Sequence, residues 1–142
     1  MALEIFEHCN TVEECYEFML AYAAQGRPSD QDSKPGAQIR EFLQRAATAV
    51  VGLAEGCSKV VKERRLEPVE RYQAFLAVLD RDAQDSLAAI NLVLAQPSIS
   101  SQLVDNLNAS THLRALITDL FLVTDIFRSQ LSVPTNSLKS SG

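Results

Sequence analysis

Apolar residues recur every three or four positions along most of the chain, a spacing typical of amphipathic helices that bury one face. Segments with this spacing lie at residues 12–25, 34–65, 68–96, 98–108 and 110–131. All but the segment at 98–108 are long enough to cross a domain. We therefore predict an all-α fold, an antiparallel four-helix bundle in up-down-up-down order with a short extra helix or turn before the last helix.

Capping residues mark the ends of these segments. Thr11 begins a capping-box pattern, Thr-Val-Glu-Glu, so the first helix is expected to start there and to stop at Gly26. Pro97 is expected to end the third helix, and Ser110 can cap the last one.

A chain of 142 residues can bury one core. We predict a single helical-bundle domain over residues 1–131 and a polar, disordered C-terminal tail over residues 132–142. Residues 27–36 form a polar linker with no apolar residue except its prolines to anchor it.

The predicted second helix runs unbroken from about residue 34 or 37 to residue 65, yet it contains Gly52 and Gly56 in adjacent turns. A glycine inside a helix costs about 1 kcal/mol relative to alanine. Both glycines project beside Ala49 along one edge of the apolar stripe. We expect this edge to form a shallow groove that lets a neighbouring helix approach closely.

The last helix carries apolar residues on two sides. One side is a regular core stripe; on the other side lie Leu122 and Ile126, together with Ala115. Either the helix is central, or its second side contacts another subunit, or the segment from Ile99 to Leu107 folds over it. Because every helix of a small bundle lies near the surface, we favour a homo-oligomer interface.

Charge and cysteine content limit the classes of function. The formal net charge is −5, which does not favour binding to nucleic acid or to an anionic membrane. No apolar run is long enough to span a bilayer, and no signal-peptide pattern is present. The odd set of Cys9, Cys15 and Cys57 has no CxxC spacing, which favours reduced thiols, with Cys15 and Cys57 in the core, and a cytoplasmic location.

Candidate catalytic chemistry is sparse. Neither His8, which precedes the predicted first helix, nor His112 has a glutamate three residues before it, as a di-iron bundle requires. We therefore predict no metal site, no catalytic residues and no cofactor. Asp82 and Ser86 lie at the edge of the third helix's stripe, and we expect Asp82 to join Arg45 in a buried polar network or to act as a carboxylate with a shifted pKa.

Basic residues concentrate between the second and third helices. The cluster consists of Lys59, Lys62, Arg64, Arg65 and Arg71. Cations near a helix C-terminus are expected from the helix dipole alone. The alternative is that the cluster contacts nucleic acid or a protein partner.

Two stretches of the sequence resemble a known family. Leu53, Ala54, Glu55 and Gly56 match the end of an Asn-Ile-Ala-Glu-Gly motif, and the pair at residues 75–76 matches a Phe-Leu motif. These motifs resemble the family of 23S rRNA intervening-sequence proteins, with which the accessory variability determinants of diversity-generating retroelements belong. Gly52 replaces the asparagine of the first motif, Arg81 replaces a glycine, the interval from Arg45 to Gly56 is one residue shorter, and Asp82 and Asp85 replace a serine and a glutamate.

The resemblance implies a four-helix bundle, a homo-oligomer that is often a pentameric ring, and a partnership with a reverse transcriptase or nucleic acid. The acidity of this chain argues against the nucleic-acid role. We therefore expect a non-enzymatic, homo-oligomeric interaction or scaffold protein. The alternative is an accessory factor for a reverse transcriptase or nucleic acid, while a small enzyme or ligand-binding bundle is supported by Asp82 alone.

Overall fold

The computed structural model describes residues 4–131 with their side chains, and this part of the chain is all-helical, as predicted. The helices are α1 (Ala2–Ala24), α2 (Lys34–Val51), α3 (Leu53–Glu63), α4 (Val69–Leu94), α5 (Ser101–Ala109) and α6 (Thr111–Ser141). The predicted tail, residues 132–142, lies outside the residues described in full.

Helix α1 begins well before the predicted start at Thr11. The Thr11 hydroxyl donates to the carbonyl of Glu7 at 3.0 Å, as a threonine inside a helix does. The capping-box prediction is wrong because the apolar stripe already starts upstream, with Ile5 and Cys9 buried on the face that carries Val12. At the other end the prediction is confirmed, since α1 stops at Ala24 and Gly26 has a φ of +66°.

The predicted second helix is two helices. Gly52, at φ −102° and ψ 7°, interrupts the helical path between α2 and α3. Its amide donates to the carbonyl of Val50, two residues earlier, rather than continuing the regular pattern. One of the two glycines therefore marks a break in the backbone, which the apolar periodicity alone did not reveal because the stripe continues through it.

The short extra element is a helix. The Ser100 hydroxyl accepts from the Leu103 amide at the start of α5, and the Ser110 hydroxyl accepts from the Leu113 amide at the start of α6. The predicted Ser110 cap is therefore confirmed.

Buried apolar side chains form two clusters in the described part of the chain. The first joins the first half of α1, α3, the first half of α4 and most of α6, with Leu79 and Phe127 almost fully buried. The second joins the second half of α1, α2, the end of α4 and α5, around Tyr22 and Ile90. Helix α4 contributes to both clusters and packs against α2, α3 and α6.

Polar contacts hold the linker between α1 and α2, which was expected to lack an anchor. The buried Asp30 carboxylate accepts from Arg40 Nε at 2.5 Å and from the Ile99 amide at 2.6 Å. The Arg40 guanidinium also donates to the carbonyls of Leu94 and Gln96. This clasp joins the linker and α2 to the loop between α4 and α5.

A second set of hydrogen bonds ties the end of α1 to the same loop. The Tyr22 hydroxyl donates to the Ile99 carbonyl at 2.7 Å, and the Ser101 hydroxyl donates to the Tyr22 carbonyl at 2.6 Å. The Ser101 amide donates to the Arg27 carbonyl. The end of the molecule around α5 is therefore built on buried polar contacts as well as apolar packing.

Candidate functional site: the seam between α4 and α6

The core face of α6 is as the sequence indicates. The six residues of its core stripe are at most 5% exposed. They are Leu113, Leu116, Ile117, Leu120, Val123 and Phe127.

Part of the second apolar side of α6, at Leu122 and Ile126, lies beside α4. Leu122 is 49% exposed, whereas Ile126 and Ala115 are half-buried and Ile126 packs against the first cluster. The sequence predicts that this side of α6 faces either water or a partner. Ile126 does not, because α4 packs beside it. Ile99, Val104 and Leu107 pack in the second cluster instead, so the segment from Ile99 to Leu107 does not fold over Leu122.

An apolar groove of about 340 Å³ opens between the two helices, and we call it the α4–α6 groove. It is lined by Pro68, Arg71, Tyr72, Phe75 and Leu76 from the α4 side and by Leu122, Val123, Ile126 and Phe127 from α6. The groove thus combines an exposed leucine with aromatic and aliphatic walls, and Arg71 stands at its edge.

Contacts run in opposite order along the two helices. The Ser86 hydroxyl, late in α4, donates to the carbonyl of His112, early in α6, at 2.8 Å. Phe75, early in α4, shares the groove with Ile126, late in α6. We call the whole line of contact the α4–α6 seam.

The polar network expected around Asp82 has different members. Arg45 does not reach Asp82; its guanidinium lies 3.8 Å from Glu14 and 4.0 Å from Glu41 and stacks over the Phe42 ring. Arg45 lies on α2, on the side that faces α1, which is why the expected pair does not form. Ser86 is buried and bonded to α6, and Asp82 is half-buried next to Asp119 of α6.

Asp119 is the main residue of the seam that sequence reasoning missed. It is 8% exposed, and its Oδ2 atom has no hydrogen-bond partner among the described residues. Burial, followed by the hydrogen bond and the charge of Asp82, raises the pKa of Asp119 to about 7. An ionised carboxylate only accepts hydrogen bonds, so a hydrogen bond between the two carboxyl groups needs a proton on one of them. A protonated Asp119 supplies that donor. One feature of the sequence could have identified it: Asp119 lies at helical spacing in the same row as Ala115, Leu122 and Ile126.

The two glycines have different surroundings. A Cβ built on Gly56 would lie 3.0 Å from Ile5 Cδ1 of α1, whereas one built on Gly52 would meet nothing within 4 Å. The expected close helix contact therefore exists at Gly56 and not at Gly52, which marks the break instead. Ala49 is buried in the first cluster.

The residues of the basic cluster differ in what they contact. Lys62, Arg64 and Arg65 are exposed around the end of α3. Lys59 lies 3.8 Å from Glu55 on the same helix, and Arg71 lies at the edge of the α4–α6 groove. We call Lys62, Arg64 and Arg65, the three exposed cations around the end of α3, the basic corner.

All three cysteines are free and buried. Burial raises the pKa of each thiol, that of Cys9, Cys15 and Cys57, to about 12, which disfavours the reactive thiolate. His8 and Cys9 lie within α1, because α1 begins before the predicted start at Thr11. Among the described residues, no group of three or more histidine, cysteine and acidic side chains is placed to hold a metal ion.

None of the described helices combines the length and apolar character needed to cross a bilayer. No protein-family model, no curated protein and no solved structure matches this chain.

Proposed function

We propose that the chain is a non-enzymatic interaction or scaffold protein that assembles with copies of itself through the α4–α6 groove. The observation that carries this proposal is the exposure of Leu122 beside a groove whose walls are apolar. Exposed apolar patches with polar rims are typical of interaction sites.

The fold that we propose is an antiparallel four-helix bundle in up-down-up-down order. In this bundle α2 and α3 act together as the second helix, and α5 is the short extra helix before the last. The opposite order of contacts along α4 and α6 supports this arrangement. So does the packing of α1 against α2 and α3. This is also the fold that the resemblance implies.

The apolar side chains that line the groove would stabilise an assembly that buries them. Burying a leucine side chain contributes about 1.5–3 kcal/mol. Closed symmetry repeats that contribution in every subunit.

The free thiols suit a reducing compartment, so a cytoplasmic location is part of the proposal.

The test is the mass of the protein in solution, measured by multi-angle light scattering over a range of concentrations. We expect the wild type to be an oligomer and Leu122→Glu to give a folded, smaller species. Val51→Glu is the matched control because Val51 is 71% exposed at the end of α2, away from the seam. A wild type that stays monomeric at high concentration, or a Leu122→Glu variant with unchanged mass, would contradict the proposal.

The alternative is an accessory factor for a reverse transcriptase or nucleic acid. The basic corner favours it because Lys62, Arg64 and Arg65 are all exposed. The resemblance favours it too, and the net charge of −5 opposes it.

A further inference from the structure

The edge of α4 beside the groove carries a self-complementary pattern of charge. Arg71 and Asp85 are both exposed, and Val78, which is 45% exposed, lies seven residues from each of them. Residues 71, 75, 78, 82 and 85 alternate steps of four and three, which places them along one side of the helix. Arg71 and Phe75 line the groove, and Asp85 contacts His112 of α6, so this side of α4 follows the seam.

We infer that a second copy of the chain packs its α4 against this side in the opposite direction, about a two-fold axis at Val78, with Arg71 of each copy against Asp85 of the other. The inference rests on the proposed function and specifies the partner and its register. In such an isologous contact the residue on the axis meets its own counterpart.

The register follows from helix geometry. Seven residues of helix span about 10.5 Å, so Arg71 and Asp85 lie at equal distances on either side of Val78. In the antiparallel arrangement each arginine comes level with an aspartate of the other copy. In a parallel arrangement arginine meets arginine and aspartate meets aspartate, which like-charge repulsion disfavours.

Asp85 is available for this second contact. Its side chain is 51% exposed although Oδ2 lies 4.0 Å from His112 Nδ1, and a carboxylate can accept several hydrogen bonds. The exposed Val78 and Leu122 provide the apolar part of the interface, and the two charge pairs define its register.

Charge reversal with rescue tests the register. We expect Arg71→Asp and Asp85→Arg, each alone, to raise the dimer dissociation constant by about tenfold or more, because each places like charges at both ends of the interface. The double variant should return to within about threefold of the wild type. Raising the salt concentration should reduce the difference between each single variant and the wild type. Lys59→Glu, on α3, makes the same change in net charge as Arg71→Asp, and Asp105→Arg, at an exposed position on α5, makes the same change as Asp85→Arg.

Cross-linking tests the axis independently. Because the native thiols are buried, Val78→Cys adds one accessible thiol, which should give a covalent dimer with a short bifunctional maleimide. Val51→Cys, more exposed but away from the seam, should not.

Three outcomes would overturn the inference. An oligomer larger than two, or one that ignores the charge reversals and does not cross-link through Val78→Cys, would overturn the two-fold arrangement and leave the proposed assembly intact. A monomeric wild type would overturn both.

Discussion

Asp119 of α6 lies beside Asp82 of α4 across the seam, and the charge of Asp82 is one of the causes that raise the pKa of Asp119. Asp119 is 8% exposed and its Oδ2 atom has no hydrogen-bond partner among the described residues. Burial first, and Asp82 second, raise its pKa from 3.8 to about 7. The folded chain therefore holds a proton there that the unfolded chain releases at a much lower pH.

This difference in pKa predicts the pH dependence of stability. Between about pH 3.8 and pH 7 the folded state binds more protons at Asp119 than the unfolded state. The contribution of Asp119 to the free energy of unfolding therefore falls as the pH rises through that window, and above it stays constant. We expect Asp119→Asn to remove this penalty. At pH 8 the variant should have a higher free energy of unfolding than the wild type, by about 1–3 kcal/mol after allowance for solvent screening.

Urea unfolding at several values between pH 5 and pH 8 measures this effect. Asp125→Asn is the matched control, since Asp125 is an exposed aspartate on the same helix. If Asp119→Asn unfolds at the same urea concentration as the wild type at pH 8, the burial of Asp119 beside Asp82 carries no measurable penalty.

The two glycines should respond in opposite directions to added side chains. Gly56→Leu should lower the free energy of unfolding by more than about 1 kcal/mol, since even a Cβ would lie 3.0 Å from Ile5 Cδ1. Gly52→Ala should raise it by up to about 1 kcal/mol, because the site is open and its φ of −102° suits alanine. Thermal melts compare the two, and a higher melting temperature for Gly56→Leu would reject the close contact with α1.

The spacing of apolar residues predicts those features of the fold that depend on a single segment of the chain. The buried face of α6 and the Ser110 cap follow from spacing and capping chemistry along one segment. The start of α1 was missed because Thr11 matched a local motif, although the apolar spacing continued upstream to Ile5. The break at Gly52 was missed because the stripe continues through it.

Contacts between distant segments were not predictable from spacing. Asp82 was recognised at the edge of its stripe, but its neighbour Asp119 lies 37 positions along the chain, and helix spacing does not identify such partners. Asp30 lay in a linker that looked unanchored, and its contacts with Ile99 depend on how two loops meet. A single sequence describes faces of helices well and the pairing of polar groups between helices poorly.

The Asp30 clasp should be important for stability. Burial alone would raise the pKa of Asp30, but the hydrogen bonds from Arg40 and Ile99 and the charge of Arg40 lower it below its ordinary value. Asp30→Ala leaves the guanidinium and a buried amide without this acceptor, and should lower the free energy of unfolding by about 2–3 kcal/mol. Asp105→Ala, at an exposed position on α5, is the control. Equal unfolding midpoints for the two variants in urea would show that the clasp contributes little.

The alternative function predicts nucleic-acid binding that is weak and sensitive to salt. Any binding should depend on Lys62, Arg64 and Arg65, because they form the exposed basic corner in a chain with a net charge of −5. Affinity should fall steeply with salt, since binding releases counterions from the phosphate backbone. Fluorescence anisotropy with labelled RNA and DNA measures this dependence.

The decisive comparison is between two triple variants of equal charge change. Replacing Lys62, Arg64 and Arg65 with alanine should abolish binding. Replacing the exposed Lys34, Arg81 and Arg114 should preserve most of it, because they lie on three different helices. Equal loss in both variants would mean that net charge, not the basic corner, governs binding. Submicromolar binding by the wild type at physiological salt would favour the nucleic-acid role, and no binding at low salt would remove it.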